Sequence, residues 1–346
     1  MNRIKLGRTG VEISAIGVGT WAHGGPKQVK GRQVGWAGQD DRLAREALVE
    51  AFESGIDHFD TADVYGDGRS ERIIGSLWDR IPRDRLFLAS KVGWDPGSHG
   101  QYYHPDLVST RLERSLELMG TDYLDLYYLH HCDFGPDDSR LPAVLEVLDR
   151  ARQAGKFRFL GLSDWDSSKV LRIGPTVDPD VVQVYRNVID DQFRTSGLAA
   201  WVGERNLGAV FFSALKHGVL LGKYEQPTTF EAGDMRNQIG EFQDPEALER
   251  FSACRRAVEE RFAGHREPVL QALSGALLTG GAAAGQECVL VGLRNPKQAR
   301  AAARLGAPLS SAEAEWVRAI YRGESAPDAG GAADTAAGSV DSAGSD

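Results

Sequence analysis

The chain has 346 residues, 42% of them hydrophobic, with 40 Lys and Arg against 49 Asp and Glu and a net charge of −9. That length holds a full core in one large domain or two ordinary ones, and the charge excludes the basic face that a nucleic-acid or anionic-membrane partner requires. No apolar run approaches the roughly 18–20 residues of a membrane-spanning helix, the start MNRIKLGRTG lacks the apolar stretch of a secretory signal, and Cys132, Cys254 and Cys288 are too scattered for a zinc or disulfide framework, so a cytoplasmic globular protein is expected.

Residues 3–14 read as a hairpin, with Ile4 and Leu6, a turn at Gly7-Arg8-Thr9-Gly10, then Val11 and Ile13. Short apolar runs follow at 15–20, 56–60, 85–92, 123–130, 157–163, 181–185, 209–213 and 287–292. Between them helix-period segments are expected at 42–54, after Asp40 and Asp41 as caps, and at 69–80, 105–119, 140–154, 166–173, 195–206, 245–278 and 295–305, with a last helix over 311–321. Eight strands alternating with helices are the arithmetic of a (β/α)₈ TIM barrel, here with an N-terminal hairpin as a cap and a C-terminal helix. A doubly wound open sheet is the rival architecture. The expected division is one barrel domain over 1–322 and an acidic tail over 323–346. That tail holds five acids, no base and a single Val as its only large aliphatic side chain, too little apolar surface to offset the entropy of ordering. Without it, 1–322 carries 44 acidic and 40 basic side chains, a nearly balanced set.

A barrel places its chemistry at the C-terminal ends of its strands. Polar residues fall there in succession: Asp60, Lys91, His130, Ser163-Asp164, Gln183 and Ser213. Two patterns invite other readings. Gly17-x-Gly19-x-x-Ala22 matches a loose dinucleotide fingerprint, but Trp21-Ala22-His23-Gly24-Gly25-Pro26 is a loop and not the helix start that a pyrophosphate needs. His130-His131-Cys132-Asp133 suggests a metal, but neighbouring strand residues point to opposite faces, so no metal site is expected.

The stretch Asp60-Thr61-Ala62-Asp63-Val64-Tyr65-Gly66-Asp67-Gly68-Arg69-Ser70-Glu71, followed by Gly75, resembles the signature of the aldo-keto reductases, of the prokaryotic general type. LGRTGVEISAIGVGTWAHGG, GTDYLDLYYLHH, GKFRFLGLSDW, VVQVYRN, FFSALKHGVLLGKY and VLVGLRNPKQA extend the resemblance, in the family's order, over almost all of 1–322. It implies a catalytic tetrad of Asp60, Tyr65, Lys91 and His130. Reducing a carbonyl requires a hydride at carbon and a proton at oxygen. A Tyr near neutrality is a poor acid. A neighbouring ammonium lowers its pKa, an Asp holds that ammonium, and an imidazole N–H steadies the developing alkoxide.

The resemblance also implies a nicotinamide cofactor, with Ser163, Asp164 and Gln183 against the carboxamide and Phe212 stacked on the ring, where Tyr is usual. Ser213, Leu215, Gly218 and Lys223 match the loop around the pyrophosphate. Gly292, Arg294, Asn295 and Gln298 match the adenosine end, with Arg300 as a second cation. A guanidinium that grips a 2′-phosphate favours NADPH over NADH, although Ala301 and Ala302 replace the usual adenine contacts. Trp21, Trp94, His131 and Phe134 are expected around a small-molecule carbonyl substrate. The loops 26–39 and 228–248 are lid candidates. Two other functions remain open: a cofactor-binding regulatory subunit without catalysis, and a metal-dependent hydrolase on His130, His131 and Asp133.

Overall fold

A computed structural model describes residues 1–29, 32–279 and 285–325. Most of the expected tail, 326–346, lies outside the described residues. The strands are β1 (Arg3–Lys5), β2 (Glu12–Ser14), β3 (Ile16–Gly19), β4 (Gln28–Val29), β5 (Arg32–Gln33), β6 (His58–Asp60), β7 (Phe87–Val92), β8 (Leu124–Leu129), β9 (Phe157–Asp164), β10 (Val181–Tyr185), β11 (Gly208–Phe212) and β12 (Glu287–Gly292). Eight of them close in the order β3, β6, β7, β8, β9, β10, β11, β12 and back to β3. Every pair around this ring is parallel. The fold is a (β/α)₈ barrel with helices outside, and the open sheet is excluded. Beneath it β1 and β2 form the antiparallel hairpin that the sequence suggests.

Strand period assigns the faces. Phe87, Ala89, Leu126, Tyr128, Val181, Val210, Cys288 and Leu290 share one buried cluster with Leu6 and Ile13 of the hairpin. Their odd neighbours, including Phe59, Leu88, Tyr127, Leu162, Val184 and Phe211, belong to the larger cluster against the helices. The inner cluster is therefore the barrel lumen, plugged from below by the hairpin. Gly161 faces this lumen, and a Cβ there would strike the Tyr128 ring.

The helices depart from expectation at three places. The 245–278 segment divides into Pro245–Arg261 and Pro268–Gly275, because Pro268 lacks the N–H a continuing helix needs and opens a new one instead. The 195–206 segment divides at Gly197, whose φ of 88° is left-handed. The helix after the signature ends at Gly75. The 26–39 loop holds a small hairpin of β4 and β5 that alternation alone did not suggest.

Candidate active site

The side chains one step beyond the lumen cluster form its upper layer. Asp60, Lys91 and His130 lie on the inward face by the same two-residue period. Lys91 is buried, and its Nζ donates to Asp60 Oδ1 and to the Thr61 carbonyl at 2.8 Å. Gln183 reaches across the barrel and donates to the other Asp60 oxygen at 2.8 Å. The Tyr65 hydroxyl lies 3.5 Å from Lys91 Nζ. The Tyr65 and His130 rings meet edge-on at 5.9 Å. Thus the structure brings Asp60, Tyr65, Lys91 and His130 together, from three segments of the chain.

The signature also explains its own spacing. Gly66 has a φ of 62°, and a Cβ on it would strike the Gly24 carbonyl. Only glycine lets the Tyr65 loop lie against the loop after β3. Ser70 donates to Thr20 Oγ1 at 2.7 Å, and Ser90 donates to Glu71 at 2.8 Å. These bonds fasten the helix Arg69–Gly75 to the loop after β3 and to β7.

The electrostatics correct one expectation. The Tyr65 phenol is pushed well above its ordinary pKa by burial first, then by the negative charges of Asp60 and Asp63. The expected lowering by Lys91 does not prevail, because that ammonium is already turned to Asp60. Burial lowers Lys91 from its usual value while Asp60 opposes the shift. The His130 imidazole is held well below its ordinary value, by burial and then by Lys91 and His131. Its Nδ1 is buried without a hydrogen-bond partner. The site therefore offers a protonated phenol and a neutral imidazole side by side.

Other expected residues fall elsewhere. His131 and Phe134 do not line the mouth. Both are buried, since the strand parity that turns His130 inward turns His131 outward. His131 donates from Nε2 to the Gly93 carbonyl at 2.9 Å and accepts at Nδ1 from Asp133 N at 3.0 Å. With both nitrogens engaged, it cannot join His130 and Asp133 around a metal. Phe134 stacks on Tyr103 at 4.5 Å. Asp164 also faces outward, and its oxygens accept from the backbone N–H groups of Cys132 at 2.8 Å and Asp166 at 3.0 Å. It shapes two loops instead of presenting itself to a carboxamide. Trp21 and Trp94 do stand by the site. Trp21 lies 6.3 Å from the Tyr65 ring, and Trp94 lies 6.2 Å from His130 and is 39% exposed.

Residues that the sequence did not single out complete the rim. Trp36, from the long loop after β3, packs on Trp21 at 6.3 Å and on His217 at 6.0 Å. Trp165 is 44% exposed, stacks on Tyr185 at 5.0 Å and meets Phe212 edge-on at 5.0 Å. The available signals were the unusual loop length for Trp36 and position directly after Ser163-Asp164 for Trp165.

On the cofactor side, Phe212 ends β11 and Ser213 follows it, both half-buried, with Ser163 buried on the inner face of β9. The loop that follows is strained: Ser213, Lys216 and His217 have φ of 60°, 43° and 58°, and Gly218 has 93°. Non-glycine residues in that region cost roughly 1–2 kcal/mol each. Leu215 and Gly218 are half-buried in it, and Lys223 is exposed beyond it. Half-buried Phe212 directly precedes this loop, as adjoining contacts to the nicotinamide and pyrophosphate of one dinucleotide require. The adenosine end fits less well. Exposed Gly292 ends β12. The Asn295 side chain caps the next helix by accepting from Gln298 N at 3.0 Å. The Gln298 side chain accepts from Arg294 N at 2.7 Å. Arg300 is ion-paired with Glu50 at 2.7 Å. The Arg294 guanidinium donates to the Ala37 carbonyl at 2.6 Å and to Gln39 at 3.3 Å. Helix capping and loop contacts thus take up groups expected to be free for the nucleotide.

A closed parallel barrel with an acid–base cluster at its C-terminal end defines an enzyme of the oxidoreductase kind when set beside its relatives. The Aldo/keto reductase family model matches residues 15–322, and the chain belongs to that family. The aldo-keto reductase YhdN of Bacillus subtilis is 30% identical over 257 residues, 73% of this chain and 74% of the relative. An NADH-specific methylglyoxal reductase of Escherichia coli is 27% identical, over 64% of this chain and 70% of the relative. Among solved structures, a glycerol dehydrogenase from Gluconobacter oxydans superposes with a TM-score of 0.74 at 23% identity, covering 96% of this chain and 99% of its own. No helix of the described residues is long and apolar enough to cross a membrane.

Proposed function

We propose that this enzyme reduces a small aldehyde or ketone to the alcohol, reversibly, with a nicotinamide cofactor and with Tyr65 as the proton donor. The observation that carries the reading is the joint placement of the Tyr65 hydroxyl, 3.5 Å from the Lys91 ammonium, and the His130 ring, 5.9 Å from the Tyr65 ring. When bound, the nicotinamide supplies the hydride. Phe212 and Ser163 would hold it, with the strained 213–218 loop around the pyrophosphate. Tyr65 keeps its proton at neutral pH and gives it to the carbonyl oxygen. His130 orients that oxygen through a ring N–H. Lys91, fixed by Asp60 and the Thr61 carbonyl, stabilises the phenolate that remains. Gln183 acts one step further back, by holding Asp60.

The indoles of Trp21, Trp36 and Trp94 shield the site from water and suit a carbonyl on an apolar or sugar-like body. Arg294 is the matched cation that supports NADPH over NADH. The relatives' names include an NADH-specific enzyme and a glycerol dehydrogenase, so small polyol and ketoaldehyde substrates belong in the test panel. The three cysteines are free and buried, in keeping with a reducing cytoplasm. The test follows nicotinamide absorbance, with NADPH and with NADH, across aldehydes, ketones and sugars. Consumption of reduced nucleotide with at least one carbonyl is expected. A folded enzyme that turns over none of them would end the reading.

A further inference from the structure

Arg294 occupies the place that the resemblance gives to a 2′-phosphate contact, yet the loop after β3 already holds it. Its Nη2 donates to the Ala37 carbonyl at 2.6 Å and its Nε to Gln39 Oε1 at 3.3 Å. Nε and one Nη form one of the two edges by which a guanidinium grips an anion in bidentate fashion, so that edge is taken. A carboxylate adds to the competition. A Cβ on Gly38 would lie 3.3 Å from Glu231 Oε2 and 3.4 Å from Arg294 Nη2, which puts both charged groups against the same bend of the loop.

The bend is anchored from its other side as well. Asp234 Oδ2 accepts from Ala37 N at 3.2 Å. Met235 N donates to the Gly35 carbonyl at 2.8 Å, and Gln238 Nε2 donates to the Gln33 carbonyl at 2.6 Å. The two long loops on the active face are therefore fastened to each other and, through Arg294, to the turn after β12. The other candidate cation, Arg300, is paired with Glu50 and does not replace Arg294.

Resting on the nicotinamide reading above, we propose that Gln39 and Glu231 set the nucleotide preference of this enzyme by competing with a 2′-phosphate for Arg294. NADPH has to displace the Gln39 and Ala37 contacts and approach the Glu231 charge. NADH lacks the phosphate and leaves the latch in place. Both are positioning residues that act through the guanidinium.

The test titrates the full chain and three variants with NADPH and with NADH, reading dissociation constants from tryptophan fluorescence. Gln39→Ala and Glu231→Gln should each tighten NADPH by roughly threefold to tenfold and leave NADH within about twofold, the scale of one charged contact. Gln39→Glu, which places a carboxylate on the guanidinium, should move the ratio the other way. An NADPH to NADH ratio unmoved in all three variants, or parallel changes in both constants, would overturn the competition. A wild-type chain that binds neither nucleotide would instead bring down the cofactor reading itself, and this inference with it.

Discussion

The two ends of the barrel treat buried charge in opposite ways. At the N-terminal end two carboxylates, Asp125 and Asp180, are saturated, while Glu287 Oε2 is buried without a partner. Asp125 accepts from Arg83 at 2.9 Å, Arg158 at 2.8 Å and Leu88 N at 3.0 Å. Asp180 accepts from Arg8 at 3.2 Å, Arg152 at 3.2 Å and Leu160 N at 3.0 Å. At the C-terminal end polar groups stand open. His130 Nδ1 and both carboxylate oxygens of Asp63 are buried without partners, and the 213–218 loop keeps three non-glycine residues at positive φ. Leaving such groups unsatisfied costs stability. The pairs of Asp125 and Asp180 thus tie the lower end of the barrel together, while His130 at the upper end keeps a ring nitrogen free beside Tyr65.

The sharpest way to break this contrast is Tyr65→Phe. It removes one hydroxyl from the open end and leaves the packing intact. Carbonyl reduction should fall by roughly 10²–10⁴-fold, the share a positioned general acid supplies, while nucleotide binding, followed by fluorescence, stays near wild type. Turnover within a few-fold of wild type would show that the open end does not use Tyr65 as its acid.

Next in size is a matched pair of lysine and aspartate variants. Lys91→Met leaves the buried Asp60 with the Gln183 hydrogen bond but without a counter-charge, which should cost roughly 3–5 kcal/mol and abolish turnover as well. Asp125→Ala, at the saturated end, should cost stability on the scale of its lost hydrogen bonds, roughly 1–3 kcal/mol, and leave kcat per folded molecule unchanged. Chemical denaturation and active-site-normalised kinetics separate the two outcomes. A loss of kcat in Asp125→Ala without unfolding would erase the distinction between the ends.

Much of this was legible because it is local. Each barrel strand announces itself by a short apolar run, and Asp60, Lys91 and His130 stand out as polar residues at the ends of those runs, which the resemblance joins into one set. The signature from Asp60 to Gly75 carries Tyr65 at a fixed spacing because the glycine at 66 has to pass the backbone at Gly24. What stayed hidden is which polar groups already have partners, since those partners lie far along the chain. Ala37 is 257 residues from Arg294, and Gln183 is 123 from Asp60. The family resemblance placed a cation at the adenosine end, but only the folded loops show that its edge is taken. The same holds for His131 and Phe134: their order along the chain suggested the mouth, and parity and packing turned them away from it.

The smallest effect concerns Asp63, inside the signature but outside the expected tetrad. Burial raises its pKa from 3.8 to about 8, with Glu71 adding to the shift and Arg111 opposing it. A carboxyl raised in the folded state binds a proton that the unfolded chain has already released. Stability contributed by that proton is therefore present at low pH and is lost as pH rises toward about 8. His23 and His217, lowered to about 4, act with the opposite sign only between that value and the ordinary histidine range. Glu287, raised to about 7, is largely ionised before Asp63 is. From pH about 6.5 to 8 the Asp63 contribution to the fall should be about 1–2 kcal/mol. Asp63→Asn keeps the shape and removes the titration, so its urea stability should fall less than wild type over this window, with the two curves separating most at the alkaline edge. Parallel curves would mean that this carboxyl finds a partner in solution and that the open end is less open than its geometry shows.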